Sequence, residues 1–165
     1  MSSAYQNKMV NFLDGAVVDS SPIVSIFEGR SSAKAFRQAL KKSKALYMSA
    51  GTLMELSIIF IGQKSAAGTQ LLDEFLEKFN IHIEPLNIQM VMHGRYGCAN
   101  YGKGHNPASL NMGDLFSYAL AKQMNLPLFF EGLDFPRTDI QDAMQMLGYA
   151  FDDKHSPNVP PLTDE

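Results

Sequence analysis

Gly15-Ala-Val-Val-Asp-Ser-Ser-Pro22 is the stretch that decides the fold. A short apolar run that closes on an acid and continues into Ser-Ser-Pro reads as a buried strand passing into a helix. Ser21 would be the N-cap, Pro22 would sit in the first turn, and Gly29 would end the helix after Phe27. An acid placed directly after Val17-Val18 is partly buried and needs a partner, so Asp19 is the first candidate functional residue.

Outward from that stretch the same alternation recurs. Ala33, Phe36 and Leu40 repeat at helical spacing within Ser32 to Lys42, and Ala45 to Ser49 is a second strand. Thr52-Leu-Met-Glu55 has the form of a capping box and precedes an apolar face of Leu53, Leu56 and Phe60. Gly68 begins a further helix, with Leu72, Phe75 and Phe79 in its buried stripe. Ile81 to Leu86 alternates as a strand, and Asn87 to Tyr101 reads as a helix that Gly102 to Pro107 breaks. Asn111 can cap a helix through Leu115, Ala119 and Leu120; Pro127 to Phe130 is a fourth strand. Thr138-Asp-Ile-Gln141 opens a last helix with another capping box. With strands alternating with helices and no tight hairpin signal, the expected fold class is α/β, a central mainly parallel sheet flanked by helices. Residues 1–14 read as an N-terminal extension, 15–150 as the domain, and 151–165, with Pro157, Pro160 and Pro161, as a flexible tail.

Composition narrows the function. The 165 residues are 45% hydrophobic and carry a net charge of −3, which excludes a disordered chain and a generally basic nucleic-acid-binding domain. A metal-dependent nuclease is not excluded, because such a site needs clustered carboxylates rather than a basic surface. Cys98 is the single cysteine, so there is no intramolecular disulfide and no thiolate zinc cage, and a reducing, cytoplasmic setting is expected. No apolar run approaches the roughly 18 residues of a membrane span.

Four acids stand out on this outline. Asp19 closes the first strand, Glu55 and Asp114 lie in first turns of helices, and Asp134 follows the fourth strand. Strand ends and the first turns of the following helices face one edge of a parallel sheet, where sites form. Converging carboxylates would suit a hard divalent cation such as Mg²⁺ or Mn²⁺, which can activate water and orient a phosphodiester. Each acid also has a plain structural reading: a capping box explains Glu55, the helix dipole Asp114, and a turn Asp134.

Taken together, Ala16-Val-Val-Asp-Ser-Ser-Pro-Ile-Val24, Met48-Ser-Ala-Gly-Thr-Leu-Met-Glu55, the stretch from Tyr101 to Lys122 containing Leu110-Asn-Met-Gly-Asp-Leu-Phe-Ser117, and Pro127-Leu-Phe-Phe-Glu-Gly-Leu-Asp-Phe-Pro-Arg-Thr-Asp-Ile140 resemble the PIN-domain ribonucleases, specifically the VapC-type toxins of toxin–antitoxin pairs. The resemblance spans roughly residues 15 to 143. It implies a PIN-like α/β fold and a Mg²⁺- or Mn²⁺-dependent endoribonuclease, with metal-binding and catalytic acids at Asp19, Glu55, Asp114 and Asp134. It implies that Ser21 orients those carboxylates, and that the partners are an RNA substrate, a VapB-like antitoxin and a second copy of the chain in a homodimer. The sequence departs from the family at Glu131, where a basic residue is usual, and at Leu133, where a further acid is usual. Glu131 would add negative charge beside an RNA path, and these two positions keep a rival open: an inactive PIN-like module that binds an antitoxin or metal without turnover. Lys103 and His105, in Gly102-Lys-Gly-His105, could touch RNA phosphate, although a flexible loop explains them as well. A flavodoxin-like binder would need a glycine-rich loop after the first strand, which Asp19-Ser-Ser-Pro22 does not supply. Met9 is an alternative translation start.

Overall fold

The computed structural model describes residues 9–64, 66–104 and 106–159. His105 lies outside them. The central sheet is four-stranded and all parallel, formed by β1 (Ala16–Val18), β2 (Leu46–Ser49), β3 (Ile81–Glu84) and β4 (Leu128–Phe129) in the order β3-β2-β1-β4. Between β1 and β2 lie α1 (Ser20–Glu28) and α2 (Ala33–Leu40). Next come α3 (Ala50–Lys64) and α4 (Ala66–Lys78), which lead to β3. The pair α5 (Ile88–Tyr101) and α6 (Met112–Met124) precedes β4, and a 3₁₀ turn at Phe135–Arg137 and a short α7 (Ala143–Met146) follow it.

The residues of β1 show why both faces of the sheet are covered. Side chains alternate along a strand. Ala16 and Val18 therefore enter a core with Ile23, Phe36, Leu56, Phe60 and Phe129, whereas Val17 enters an opposite core with Met90, Tyr118, Leu120 and Phe130. The first core is roofed by α1 to α4 and α7, the second by α5 and α6. Because β1 is the strand from which the chain steps one way to β2 and β3 and the other way to β4, its carboxyl end is the topological switch point, where such sheets place their sites.

Three helix starts differ from the sequence expectations, each for a visible reason. Asp19, not Ser21, is the N-cap of α1, accepting from the Ser21 amide at 3.2 Å. The Ser49 hydroxyl accepts from the Gly51 amide at 3.2 Å, so α3 begins at Ala50 and Thr52 lies inside the helix instead of capping it. The Thr138 hydroxyl donates to the Phe135 carbonyl, and the last helix starts later, capped by Asp142. Leu13 is buried, its amide donating to the Lys42 carbonyl. Of the tail expected from the prolines, residues 160–165 lie outside the described residues, and the part before them forms the antiparallel pair β5 (Ala150–Phe151) and β6 (Pro157–Val159).

Candidate active site

At the end of β1 the Asp19 carboxylate is almost fully enclosed, and each of its oxygens accepts a hydrogen bond from a serine hydroxyl. Oδ2 accepts from the Ser21 hydroxyl at 2.7 Å, and Oδ1 accepts from the Ser117 hydroxyl at 2.6 Å. Ser117 in turn lies 3.2 Å from the Thr52 hydroxyl in the same buried layer, so α1, α3 and α6 all brace one carboxylate. A buried charge demands this degree of satisfaction.

Glu55 reaches the same place because α3 and α6 approach closely. A Cβ on Gly51 would sit 2.5 Å from the Phe116 ring, and one on Gly113 would sit 2.8 Å from both Glu55 oxygens. Glycine at position 113 leaves room for the Glu55 carboxylate, and glycine at position 51 leaves room for the Phe116 ring. Since Thr52 is no cap, Glu55 is not the far end of a capping box. Its Oε2 is buried without a hydrogen-bond partner, and burial, reinforced by the Asp19 charge, raises its pKa against the opposing effect of the Ser20 hydroxyl. Asp114, by contrast, does close a capping box: its amide donates to Asn111 Oδ1 at 3.0 Å and its Oδ2 accepts from the Asn111 amide at 2.9 Å. Burial pushes its pKa up to about 7; the Asn111 amide opposes this, and the Asp19, Asp134 and Glu55 charges add to it. Asp134, before the 3₁₀ turn, is exposed with no side-chain cap bond; its pKa is raised by burial of its inner side and by Asp19, and lowered by Arg137.

The structure thus brings Asp19, Glu55, Asp114 and Asp134 within reach of one another's charge, with Ser21 on Asp19. Among the described residues no three acidic, histidine or cysteine groups close into a ready-made ligand cage; the acids border an open centre. Lys103 is exposed on the turn after α5, and no hydrogen bond or ion pair joins its side chain to the acids. Sequence patterns assign no role to Ser117 or Gly113 and offer Thr52 only as a cap. The available signals were spacings: Ser117 is three residues after Asp114 and Thr52 three before Glu55, on the same helix faces.

Glu131 is not turned toward the acids. Its two carboxylate oxygens accept from the Ser25 and Ser156 hydroxyls, and Arg30 stands 3.8 Å away. The negative charge expected beside an RNA path is therefore largely enclosed by donors. Leu133 is about half exposed, and Asp134 beside it is the acid near the Asp19 charge.

The fold and site define an α/β protein whose parallel sheet presents a set of carboxylates at its switch point. A PIN domain profile matches residues 16–141. Ribonuclease VapC42 of Mycobacterium tuberculosis is 37% identical over 128 residues, covering 77% of this chain and 98% of that protein. Ribonuclease VapC28 of the same organism is 33% identical over 129 residues, covering 78% and 97%. The chain belongs to the PIN-domain family, among the VapC ribonucleases. Solved structures agree on the fold: VapBC-1 from nontypeable Haemophilus influenzae matches with a TM-score of 0.60 at 23% identity, covering 78% of this chain and 98% of the other. The sarcin-ricin loop cleaving toxin VapC20 of Mycobacterium tuberculosis matches with a TM-score of 0.62 at 11% identity, covering 76% and 95%.

Proposed function

We propose that the protein is the toxin of a VapBC-type pair, an endoribonuclease that acts in the cytoplasm with Mg²⁺ or Mn²⁺. The observation that carries this is the convergence of Asp19, Glu55, Asp114 and Asp134 at the carboxyl end of β1, where the Asp19 charge reaches each of the other three. An all-oxygen donor set with an unpartnered buried Glu55 oxygen fits a hard divalent cation. Such an ion, when bound, lowers the pKa of a water and stabilises the leaving oxygen of a phosphodiester. Asp19 and Asp114 would hold it, with Glu55 and Asp134 at its sides. Ser117 and Ser21 fix both Asp19 oxygens, so the carboxylate needs no reorganisation when substrate arrives. A half-buried Asp114 with a pKa near 7 is partly protonated at neutral pH without a cation, and gives up that proton on binding one.

Partners follow from two surfaces. A groove of about 340 Å³, lined by Met54, Ile58, Met112 and Phe116, leads to Glu55 and Gly113. It suits an antitoxin segment with apolar side chains and a terminal guanidinium for the acids, which would block the site. Ile88, Met92 and Tyr96 are exposed on α5 and suit contact with a second copy of the chain.

The test is Asp19→Asn. Purified wild-type protein with Mn²⁺ should cleave RNA, and the variant should lose at least about a hundredfold in rate, the usual order for removing a principal electrostatic group. Equal cleavage by both proteins refutes the site. Cation binding without cleavage of any RNA in a broad panel by the wild type supports the non-catalytic module instead.

A further inference from the structure

The profile match ends at residue 141, yet the structure continues into a folded segment that returns to the site. β5 and β6 pair across a turn in which Asp152 Oδ1 accepts from the Lys154 and Ser156 amides, each at 2.9 Å. The His155 ring stacks between Phe151 and Phe130, with centroids 3.9 Å and 5.5 Å away, and its Nε2 lies 2.6 Å from Asp142 Oδ2. Phe130 directly follows β4, so the segment is docked on the strand end that leads into the site.

The next residue makes the connection. The Glu131 side chain takes the Ser156 hydroxyl on one oxygen and the Ser25 hydroxyl of α1 on the other. Its backbone amide donates to Ser21 Oγ at 3.0 Å, and that same hydroxyl donates to Asp19 Oδ2 at 2.7 Å. Hydrogen bonds on either side of Glu131, joined through that residue's own covalent frame, thus connect Ser156 to the carboxylate at the centre of the site.

We propose that residues 150–159 are an in-chain brace for the active site, in which Ser156 and Glu131 are positioning residues that act through Ser21 on Asp19. The brace explains the acid at this position, because a carboxylate accepts from both serine hydroxyls and also meets the Arg30 guanidinium 3.8 Å away. A lysine could donate to the two hydroxyls, but it would set a second positive charge beside Arg30. The inference rests on the nuclease reading for its kinetic arm only; its structural arm stands without it.

The full-length chain tests it with Ser156→Ala, Glu131→Ala and Glu131→Gln. Gln keeps the shape and can bridge two hydroxyls, with its carbonyl accepting and its amide donating. In RNA cleavage with Mn²⁺, Ser156→Ala and Glu131→Ala should each lower kcat by about three- to tenfold, the rate equivalent of one lost hydrogen bond, with KM nearly constant. Glu131→Gln should recover most of the loss. Independently of activity, hydrogen exchange at the Glu131 amide should speed up in both alanine variants and less in the Gln variant, and Mn²⁺ affinity should weaken in parallel with kcat. A drop in melting temperature with kcat, Glu131 exchange and Mn²⁺ affinity all unchanged overturns the brace. So does a Gln variant as impaired as the Ala variant, because then charge rather than bridging matters. If the wild type cleaves no RNA, the nuclease reading fails while the exchange and Mn²⁺ measurements still decide the brace.

Discussion

Replacing Asp114 by Asn should make the cation-free protein more stable at pH 8 than at pH 5, relative to wild type. Asp114 keeps its proton in the fold up to about pH 7, because burial and three neighbouring carboxylates disfavour its charged form. In the unfolded chain it ionises near its ordinary value of about 4. Between those two values the native state binds more protons than the unfolded state, so stability falls as pH rises and the penalty is complete above about pH 7. A shift of about three units corresponds to roughly 4 kcal/mol, and solvent at the open side of the site screens this to about 2 kcal/mol. Roughly 1 to 1.5 kcal/mol of it should appear between pH 5 and pH 8. Asn at this position can still accept from the Asn111 amide and donate its own backbone N–H to Asn111 Oδ1, so the cap survives; the lost interaction with the helix dipole costs about 0.5 kcal/mol. Urea unfolding of both proteins in chelator, at the two pH values, gives the comparison. Adding Mn²⁺ at pH 8 should then stabilise the wild type more than the variant. Identical pH slopes for the two proteins would refute the reasoning, since Asp114 would then carry no charge penalty in the fold.

Gly113→Ala should leave the fold cooperative but cut RNA cleavage about tenfold or more, because the new Cβ falls 2.8 Å from both Glu55 oxygens and must displace that carboxylate; circular dichroism and a cleavage assay check the two parts. Ile58→Asp, on the exposed wall of the apolar groove, should weaken antitoxin binding by at least about tenfold, the loss of one buried aliphatic contact, while the isolated protein still cleaves RNA. Calorimetry with the cognate antitoxin and a parallel cleavage assay measure this, and unchanged affinity would move the antitoxin elsewhere.

Legibility in the sequence varied with how local the determining contact is. Asp19 and Asp114 are readable because their signals are contiguous: an acid ending an apolar strand, and Asn111-Met-Gly-Asp114 closing its own cap. Glu55 is readable as an acid in the right turn, but the capping-box pattern misleads as to its role. Ser49, one step upstream, captures the Gly51 amide and starts α3 early, which frees Glu55 for the site. Ser117 looks like small filler in an apolar helix and Thr52 like a cap, and only the crossing of α3 over α6 makes them supports for Asp19. The folded end of the chain was hidden most deeply. Three prolines and scattered acids suggest looseness, and nothing near them in sequence announces that His155 will stack on Phe130 or that Ser156 will meet Glu131.

The charge balance leads to a further prediction about substrate binding. Of the 17 acidic residues, four border the site, which leaves 13 against 14 Lys and Arg, so the remaining surface is close to neutral. Arg30 is paired with Glu28 at 2.7 Å, Lys44 with Asp14 at 2.6 Å and Lys122 with Asp139 at 2.8 Å, so three of those cations are already engaged by carboxylates. On the proposed function, RNA attraction should then depend on divalent cations at the acids rather than on a basic field. Binding of a short RNA, measured in Ca²⁺ to slow cleavage, should be strong only with the ion present, and should weaken with added monovalent salt at a slope of about one or two, the equivalent of one or two phosphate contacts on a single strand. Tight binding in chelator with a slope of about five would show instead that a basic groove does the work, and would require a different partition of the charges than the one the four acids imply.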